Sequence, residues 1–344
     1  MSRCHLTRRF VRPPLALAGL VLAVLLLASP ARCVEITPFY TQNQSPLVQI
    51  FGLPAAGSAF VLSKGEKEGV VALDIANSFV EKANTHEMLL LDGESYRTTF
   101  AFRFGLAKGV EGGIDIPFTG QGGGIFDNFI IGWHDFFGLP QGGREDAPHN
   151  RLRYDYARDG RTLLAVNDSG FGLGDVRLSG GVQLYRAEGE RSRGVALRAS
   201  LKLPTGDSNN LHGSGSTDTA LWLTASDDYK LSIGHAALFV SGGGLYMTPG
   251  NILRGQQRPF VAFGSLGCGW SPTEWIGFKV EFSGHTPFYQ DSDLRSLGSS
   301  AGQLLMGGTL GFTPRTSLDI GVSEDVVVDT SPDIALHLAL RHKF

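Results

Sequence analysis

From about Val70 to the end, the chain repeats one pattern: apolar side chains at every second position, with small, polar or charged ones between. Ile334, Leu336, Leu338, Leu340, His342 and Phe344 alternate with Ala335, His337, Ala339, Arg341 and Lys343. Side chains on a strand switch face with period two, so one face of this segment is almost wholly apolar and the other carries its firm charges. Leu318, Ile320 and Val322 stand against Asp319, and Ile276, Phe278, Val280 and Phe282 against Lys279 and Glu281. Upstream, Val195, Leu197, Ala199 and Leu201 oppose Arg198 and Lys202, and Val176 and Leu178 oppose Asp175 and Arg177. Val110, Ile114 and Ile116 oppose Glu111 and Asp115, and Phe100, Phe102 and Phe104 oppose Arg97 and Arg103. A soluble β-sandwich alternates in the same way, with its charged face in water and its apolar face on a second sheet. Alternation alone leaves both folds open.

Connection lengths separate them. Short connections fall around 107–109, 188–193, 226–228, 271–274 and 314–315, and long ones around 119–171, 206–217, 249–257, 284–301 and 324–333. Tight turns on one side and longer loops on the other are what a transmembrane barrel requires. The reading is an all-β chain forming an antiparallel transmembrane β-barrel of about twelve strands. Ten or fourteen stay open, because 70–80 and 151–166 fit more than one assignment. Trp270 and Trp275 bracket one short turn, where an interfacial aromatic belt would place them, although two buried core tryptophans fit the same spacing. A hairpin centred near Lys108 sets Arg103 opposite Glu111 on the interior face. By the same alternation Arg97, Asp115, Asp175, Arg177, Arg198, Lys202, Lys279, Glu281, Asp319, His337 and Arg341 face the lumen.

Composition supports the barrel. The 344 residues include 46 glycines and 22 phenylalanines with only 18% charged residues, which is unusual for a soluble domain and suits strands whose apolar faces need no protein partner. A pair of secreted sandwiches would need a linker, and no Pro-, Ser- or charge-rich stretch divides the chain. At the N-terminus Arg3, Arg8, Arg9 and Arg12 precede an apolar run from Leu15 to Ala28 and the small residues Ser29, Pro30 and Ala31. This reads as a signal peptide over 1–31, too short for a spanning helix. A lipoprotein signal at Cys33 fits poorly behind Arg32. Cleavage after Ala31 removes four arginines and no acids, taking the formal charge from −3 to −7, so a nucleic-acid partner is not favoured. Cys4, Cys33 and Cys268 do not make a disulfide scaffold. The chain divides into 1–31, a periplasmic or lumenal lead-in over 32–69, and a barrel over 70–344.

Three segments are candidates for function. The lead-in, with Asn43-Gln44-Ser45-Pro46-Leu47 and Phe51-Gly52-Leu53-Pro54, is polar, then apolar and interrupted by proline, and does not read as a membrane strand. In the first long loop Phe126, Phe129, Ile130, Trp133, Phe136 and Phe137 share one face of a short helix. That helix has three readings: packed in the barrel mouth, lying in the outer leaflet, or lining an apolar ligand site. His212 and Ser214, two apart, are a weak nucleophile–base pairing, and they sit in a Gly/Ser/Asn-rich loop that reads as flexible. Asp207, Asn209, Asn210 and Asp218 match no defined calcium loop, and no phosphate-cradling motif occurs. No metal or cofactor is expected.

Two resemblances extend this reading. The terminal strand resembles the closing strand of bacterial outer-membrane barrels, in which Leu336, Leu338, Leu340 and Phe344 would serve as the assembly signal. The set Asn43–Leu47, Phe51–Pro54, Leu91–Arg97, Trp133-His134, Phe137–Pro140, Gly172–Asp175 and Leu203–Asp207 resembles an uncharacterised family of Gram-negative outer-membrane-like proteins. These likenesses imply export to the outer membrane, with its lipids and the barrel assembly machinery as partners, and bring no catalytic residues. The expectation is a non-enzymatic outer-membrane barrel, a pore or carrier for small or hydrophobic molecules. The alternatives are a lipid-modifying barrel enzyme using His212 and Ser214, or a closed structural or adhesive barrel. Oligomeric state is not legible in the sequence.

Overall fold

The computed structural model describes residues 34–124, 126, 131–132, 135–136, 138, 148–327 and 330–344. Residues 1–33, with the expected signal peptide, lie outside the described residues, as do Phe129, Ile130, Trp133 and Phe137 of the expected loop helix. Within that loop Ile131, Gly132, Asp135 and Phe136 have helical backbone, and Phe136 is exposed.

The chain forms β1 (Lys67–Ala83), β2 (Glu87–Ala107), β3 (Val110–Gly122), β4 (Arg153–Arg158), β5 (Arg161–Val166), β6 (Gly170–Leu173), β7 (Arg177–Ala187) and β8 (Arg191–Lys202). It continues with β9 (Asp218–Lys230), β10 (His235–Met247), β11 (Phe260–Ser271), β12 (Ile276–His285), β13 (Ala301–Thr313), β14 (Thr316–Asp325) and β15 (Ile334–Lys343). Twelve of these close an antiparallel barrel, β1-β2-β3 followed by β7 through β15, with β15 hydrogen-bonded back to β1 from Asn77↔Ile334 to Glu68↔Lys343. Closure leaves the twelve-stranded wall without a free strand edge, and so without a row of unpaired backbone groups that hydrocarbon would not tolerate. The ambiguous stretch 151–166 is the β4–β5 hairpin, standing beyond the wall on the long upper part of β2, while β6 extends the pairing of β3 above β7.

Alternation is followed through. Leu221, Leu223, Leu238, Val240, Leu266, Phe278, Val280, Leu340 and Phe344 are exposed on the outside, whereas Arg198, Lys202, Lys279, Glu281, Asp319 and His337 are buried inside. That is a soluble protein turned inside out: an apolar belt far wider than a monomer leaves in water surrounds a charged interior. Trp270 and Trp275 are both exposed at the β11–β12 turn rather than buried.

Two expectations about turns need correction. The β9–β10 turn lies at 231–234, closed by Leu231 N–H to the Gly234 carbonyl, so 226–228 belongs to β9. Asp227 and Asp228, which look like turn residues, are paired instead, with Arg191 and His235. In the β2–β3 hairpin the turn falls on Lys108 and Gly109, where Gly109 takes φ +70°, and the register shifts between Gly105 and Ala107. Arg103 therefore stands opposite Gly113, and Glu111 opposite Gly105, so they are not a cross-strand pair. Both still point inward.

Candidate functional site

The short turns mark one end of the barrel, called here the turn end, and the long loops the other. Residues 34–66 enter at the turn end, where Val34 N–H bonds the Glu274 carbonyl and Lys343 Nζ lies 2.5 Å from Glu35. They rise inside the barrel, turn over residues 45–50 below the long loops, and descend to Lys67, where β1 begins. Pro46 and Pro54 keep this segment from joining the wall as a strand. Its backbone groups are satisfied by the inward-facing side chains of the wall instead.

The rising arm gives Phe39 N–H to Glu281 Oε2 at 3.0 Å and the Thr37 carbonyl to Lys279 Nζ at 3.1 Å, with that ammonium 4.1 Å from the Phe39 ring centre. Thr41 Oγ1 donates to Asp74 at 2.7 Å, and Asn43 Nδ2 meets His285 Nε2 at 2.9 Å. The descending arm presents a run of carbonyls: Gln49 to Arg97, Leu53 to Arg177, Ala56 to the Trp222 indole, Gly57 to Thr224, Ser58 to Arg198 and Ala59 to Gln183. Leu62 N–H returns to Glu111 at 2.8 Å. The wall thus grips the main chain of the segment, so its hold depends little on the segment's side-chain identities.

The tip is held by chemistry of both kinds. Leu47, Val48, Ile50, Phe51 and Leu53 pack into one apolar cluster with Leu152, Tyr154 and Tyr156 of the β4–β5 region and with Leu211, Ile252, Phe288, Tyr289 and Leu294 of the long loops. Below it Lys202 Nζ reaches Asp175 at 2.5 Å, Asp218 at 3.2 Å, Ser214 Oγ at 2.6 Å and the Ile50 carbonyl at 3.4 Å, all buried. Asp218 accepts Gly52 N–H at 2.7 Å. A Cβ on Gly52 would sit 2.8 Å from that of Asp218, so the bond needs glycine there.

The other inward charges are paired along the wall: Arg198 with Glu111 at 2.7 Å, Lys279 with Asp319 at 3.0 Å, His337 with Asp74 and Arg341 with Glu68 at 2.7 Å each, and Arg177 with Asp115 at 3.9 Å. Arg103 donates to the Tyr40 hydroxyl. Alternation groups Gln183 with Asp175 and Arg177 but does not single out Glu68, Asp74, Asp218, Trp222 or Thr224. Each sits on the inward parity of its strand, which was the available signal.

The loop carrying His212 and Ser214 is packed, not flexible, because three charged groups organise it. Asp175 accepts Gly206 N–H and Ser214 N–H, and Asp207 caps the short 3-10 turn Ser208–Asn210. The Asn209 N–H and the Asn210 amide hold the Asp207 carboxyl below its usual range. The His212 ring lies over Gly172, where a Cβ would come within 2.6 Å of Nδ1, and burial pushes its pKa down, leaving it neutral at pH 7. Ser214 Oγ is engaged by Lys202 and Ser216 and makes no bond with His212. Lys202 is itself held between Asp175 and Asp218. Asp218 lies in the Lys202 cluster, apart from Asp207, so the four possible calcium ligands are not brought together; among the described residues no group of three His, Cys, Asp or Glu could hold a metal. Ser214→Ala is expected to cost about 2–3 kcal/mol of stability, since it removes the bond from Lys202 and those with Ser216, and to change no lipid hydrolysis. Fatty-acid release by pure protein that vanished in this variant would contradict that.

Among solved structures, the chain is similar to an outer membrane channel from Pseudomonas putida F1, at 14% identity and TM-score 0.51, covering 84% of this chain and 98% of the channel. CdiB from Acinetobacter baumannii (8% identity, 82% and 60% covered) and the translocator domain of autotransporter NalP from Neisseria meningitidis (10%, 82% and 90%) superpose at TM-score 0.38, too loosely to add to the argument. No protein of curated function matches the chain. The first similarity agrees with the twelve-stranded barrel in fold, and the family model described as protein of unknown function DUF3187 matches residues 16–344, so the chain belongs to that family.

Proposed function

We propose that this protein is an outer-membrane channel for small solutes whose lumen is closed by its own residues 34–66. The supporting observation is the course of that segment: both of its ends lie at the turn end, so it is tethered at one mouth and can withdraw without unthreading. Here most wall charges pair with one another and meet the segment chiefly through its backbone, with Tyr40, Thr41 and Gln42 as side-chain contacts. They therefore remain compensated when it moves. The turn end is the periplasmic side on this reading, and the apolar cluster around Leu47 and Phe51 seals the outer mouth.

Likeness in fold to the Pseudomonas putida channel is consistent with this role and specifies no solute. A hydrolase is disfavoured by the engagement of Ser214. The test is solute flux into vesicles carrying the purified chain, measured by swelling. The full chain is expected to admit small solutes above the rate of empty vesicles. A tight vesicle, both with the full chain and with one that begins at Ser63, would reject the channel.

A further inference from the structure

The lumen is not uniform around its circumference. On the β1–β3 and β7–β8 side the inward positions are charged and bonded to residues 34–66. On the β9–β13 side one row in register reads Thr224, Ser241, Ser265, Ser283 and Gln303, each directly opposite the next on the neighbouring strand. On β14 the residue opposite Gln303 is Asp325, and Ser323, two residues along, lines the same cavity. Between the belt and residues 41–43 and 53–56 lies a cavity of about 40 Å³, the room of about three waters. Its apolar lining includes Leu53, Pro54, Ala56, Phe263, Ala301 and Leu305, and its single wall carboxylate, Glu281, accepts the Phe39 N–H.

Ser241 and Ser265 satisfy each other at 3.0 Å. Ser283, Gln303 and Ser323 line the cavity and hydrogen-bond no protein group among the described residues, although Gln303 is 4% and Ser323 8% exposed. Buried polar groups without protein partners answer to water or to a ligand. Among the described residues no Lys or Arg lines the cavity to compensate an anion stripped of its water. A pure hydrocarbon would leave the Gln303 amide and two hydroxyls unpaired. A neutral molecule with several hydroxyl groups and some carbon surface satisfies both conditions.

The geometry points to a selectivity site on the β10–β14 wall, built from Ser283, Gln303 and Ser323, for small uncharged hydroxyl-bearing organic solutes. It rests on the channel reading and supplies its substrate class. The solute passes between the belt and the Leu53-Pro54 stretch, which moves away from this wall while the opposite, charged wall keeps its hold on residues 49 and 58–62. The amide and the two hydroxyls then exchange cavity waters for solute hydroxyls.

The test compares two solutes of one size, a neutral pentose and its aldonate anion, in vesicle swelling. The full chain is expected to admit the pentose at least about tenfold faster. Gln303→Leu combined with Ser283→Val is expected to slow the pentose about fivefold or more, with the barrel still compact by its unheated mobility on gels. Equal entry of the two solutes, or unchanged pentose entry in the variant, overturns the site and leaves the channel standing. If no solute enters at all, the channel reading fails, and thiol labelling decides the site separately. Ser283→Cys, with Cys33 and Cys268 replaced, should react at least about tenfold faster with neutral methyl methanethiosulfonate than with its cationic and anionic analogues. Equal rates reject the site.

Discussion

A mature chain that begins at Ser63 conducts ions steadily across a planar bilayer, at least about tenfold more than the full chain under the same voltage. Shortening the chain there removes the rising arm, the tip and the descending arm, and leaves β1 through β15 and the β15–β1 closure untouched. What it takes from the wall is a set of backbone partners. Arg97, Arg177, Arg198 and Lys279 lose the carbonyls of Gln49, Leu53, Ser58 and Thr37, and Glu111 and Glu281 lose the N–H groups of Leu62 and Phe39. Water replaces these bonds at small net cost, because the exchange is one hydrogen bond for another. The ion pairs Arg198–Glu111 and Lys279–Asp319 lie within the wall and persist. The apolar cluster at the long loops loses Leu47, Val48, Ile50, Phe51 and Leu53, each worth about 1.5–3 kcal/mol of burial, so the loops are expected to loosen while the barrel stands. A shortened chain that stays compact on unheated gels and conducts no more than the full one would mean that residues 34–66 do not close the lumen.

Lys202→Met releases the tip while leaving the segment tethered. The ammonium lies between Asp175 and Asp218, and all three side chains are at most 4% exposed. Removing one partner of a buried ionic cluster leaves uncompensated charge and costs about 3–5 kcal/mol. Two carboxylates then face each other, and drawing in water is the relief open to them. That water enters beside Ile50 and Gly52, whose carbonyl and N–H bond Lys202 and Asp218. The Gly52 amide is expected to lose most of its hydrogen-exchange protection, while amides of β10–β13, on the far wall, keep theirs. Adding Asp218→Asn should restore part of the protection by removing one of the two negative charges. Unaltered exchange at Gly52 in Lys202→Met would show that the apolar cluster alone holds the tip.

Much of the architecture was legible because a barrel strand reports its environment at every second residue. Ile334 to Phe344 announced an apolar outside and a polar inside before any partner strand was known, and the structure places His337, Arg341 and Lys343 on the inner face as their parity required. Twelve strands followed from the spacing of short and long connections. The errors arose where backbone geometry overrides pattern. Gly109 and the register shift near Leu106 moved the β2–β3 pairing, and polar residues 226–228 resembled a turn while pairing across strands.

The sequence by itself determined that the chain is a barrel, which residues face inward, and that residues 35–62 are not a membrane strand. These are local properties: period two, proline, glycine, and the cost of charge in hydrocarbon. Only the tertiary structure decided what the interior charges do. Alternation says that Arg198 and Lys202 face inward, but not that Glu111 lies across from one and Asp175 and Asp218 surround the other. Nor does it say that a proline-interrupted segment runs between the walls with its carbonyls turned toward arginines. Partners brought together from positions up to 308 residues apart, as Glu35 and Lys343 are, depend on closure of the barrel, and closure belongs to all twelve strands together.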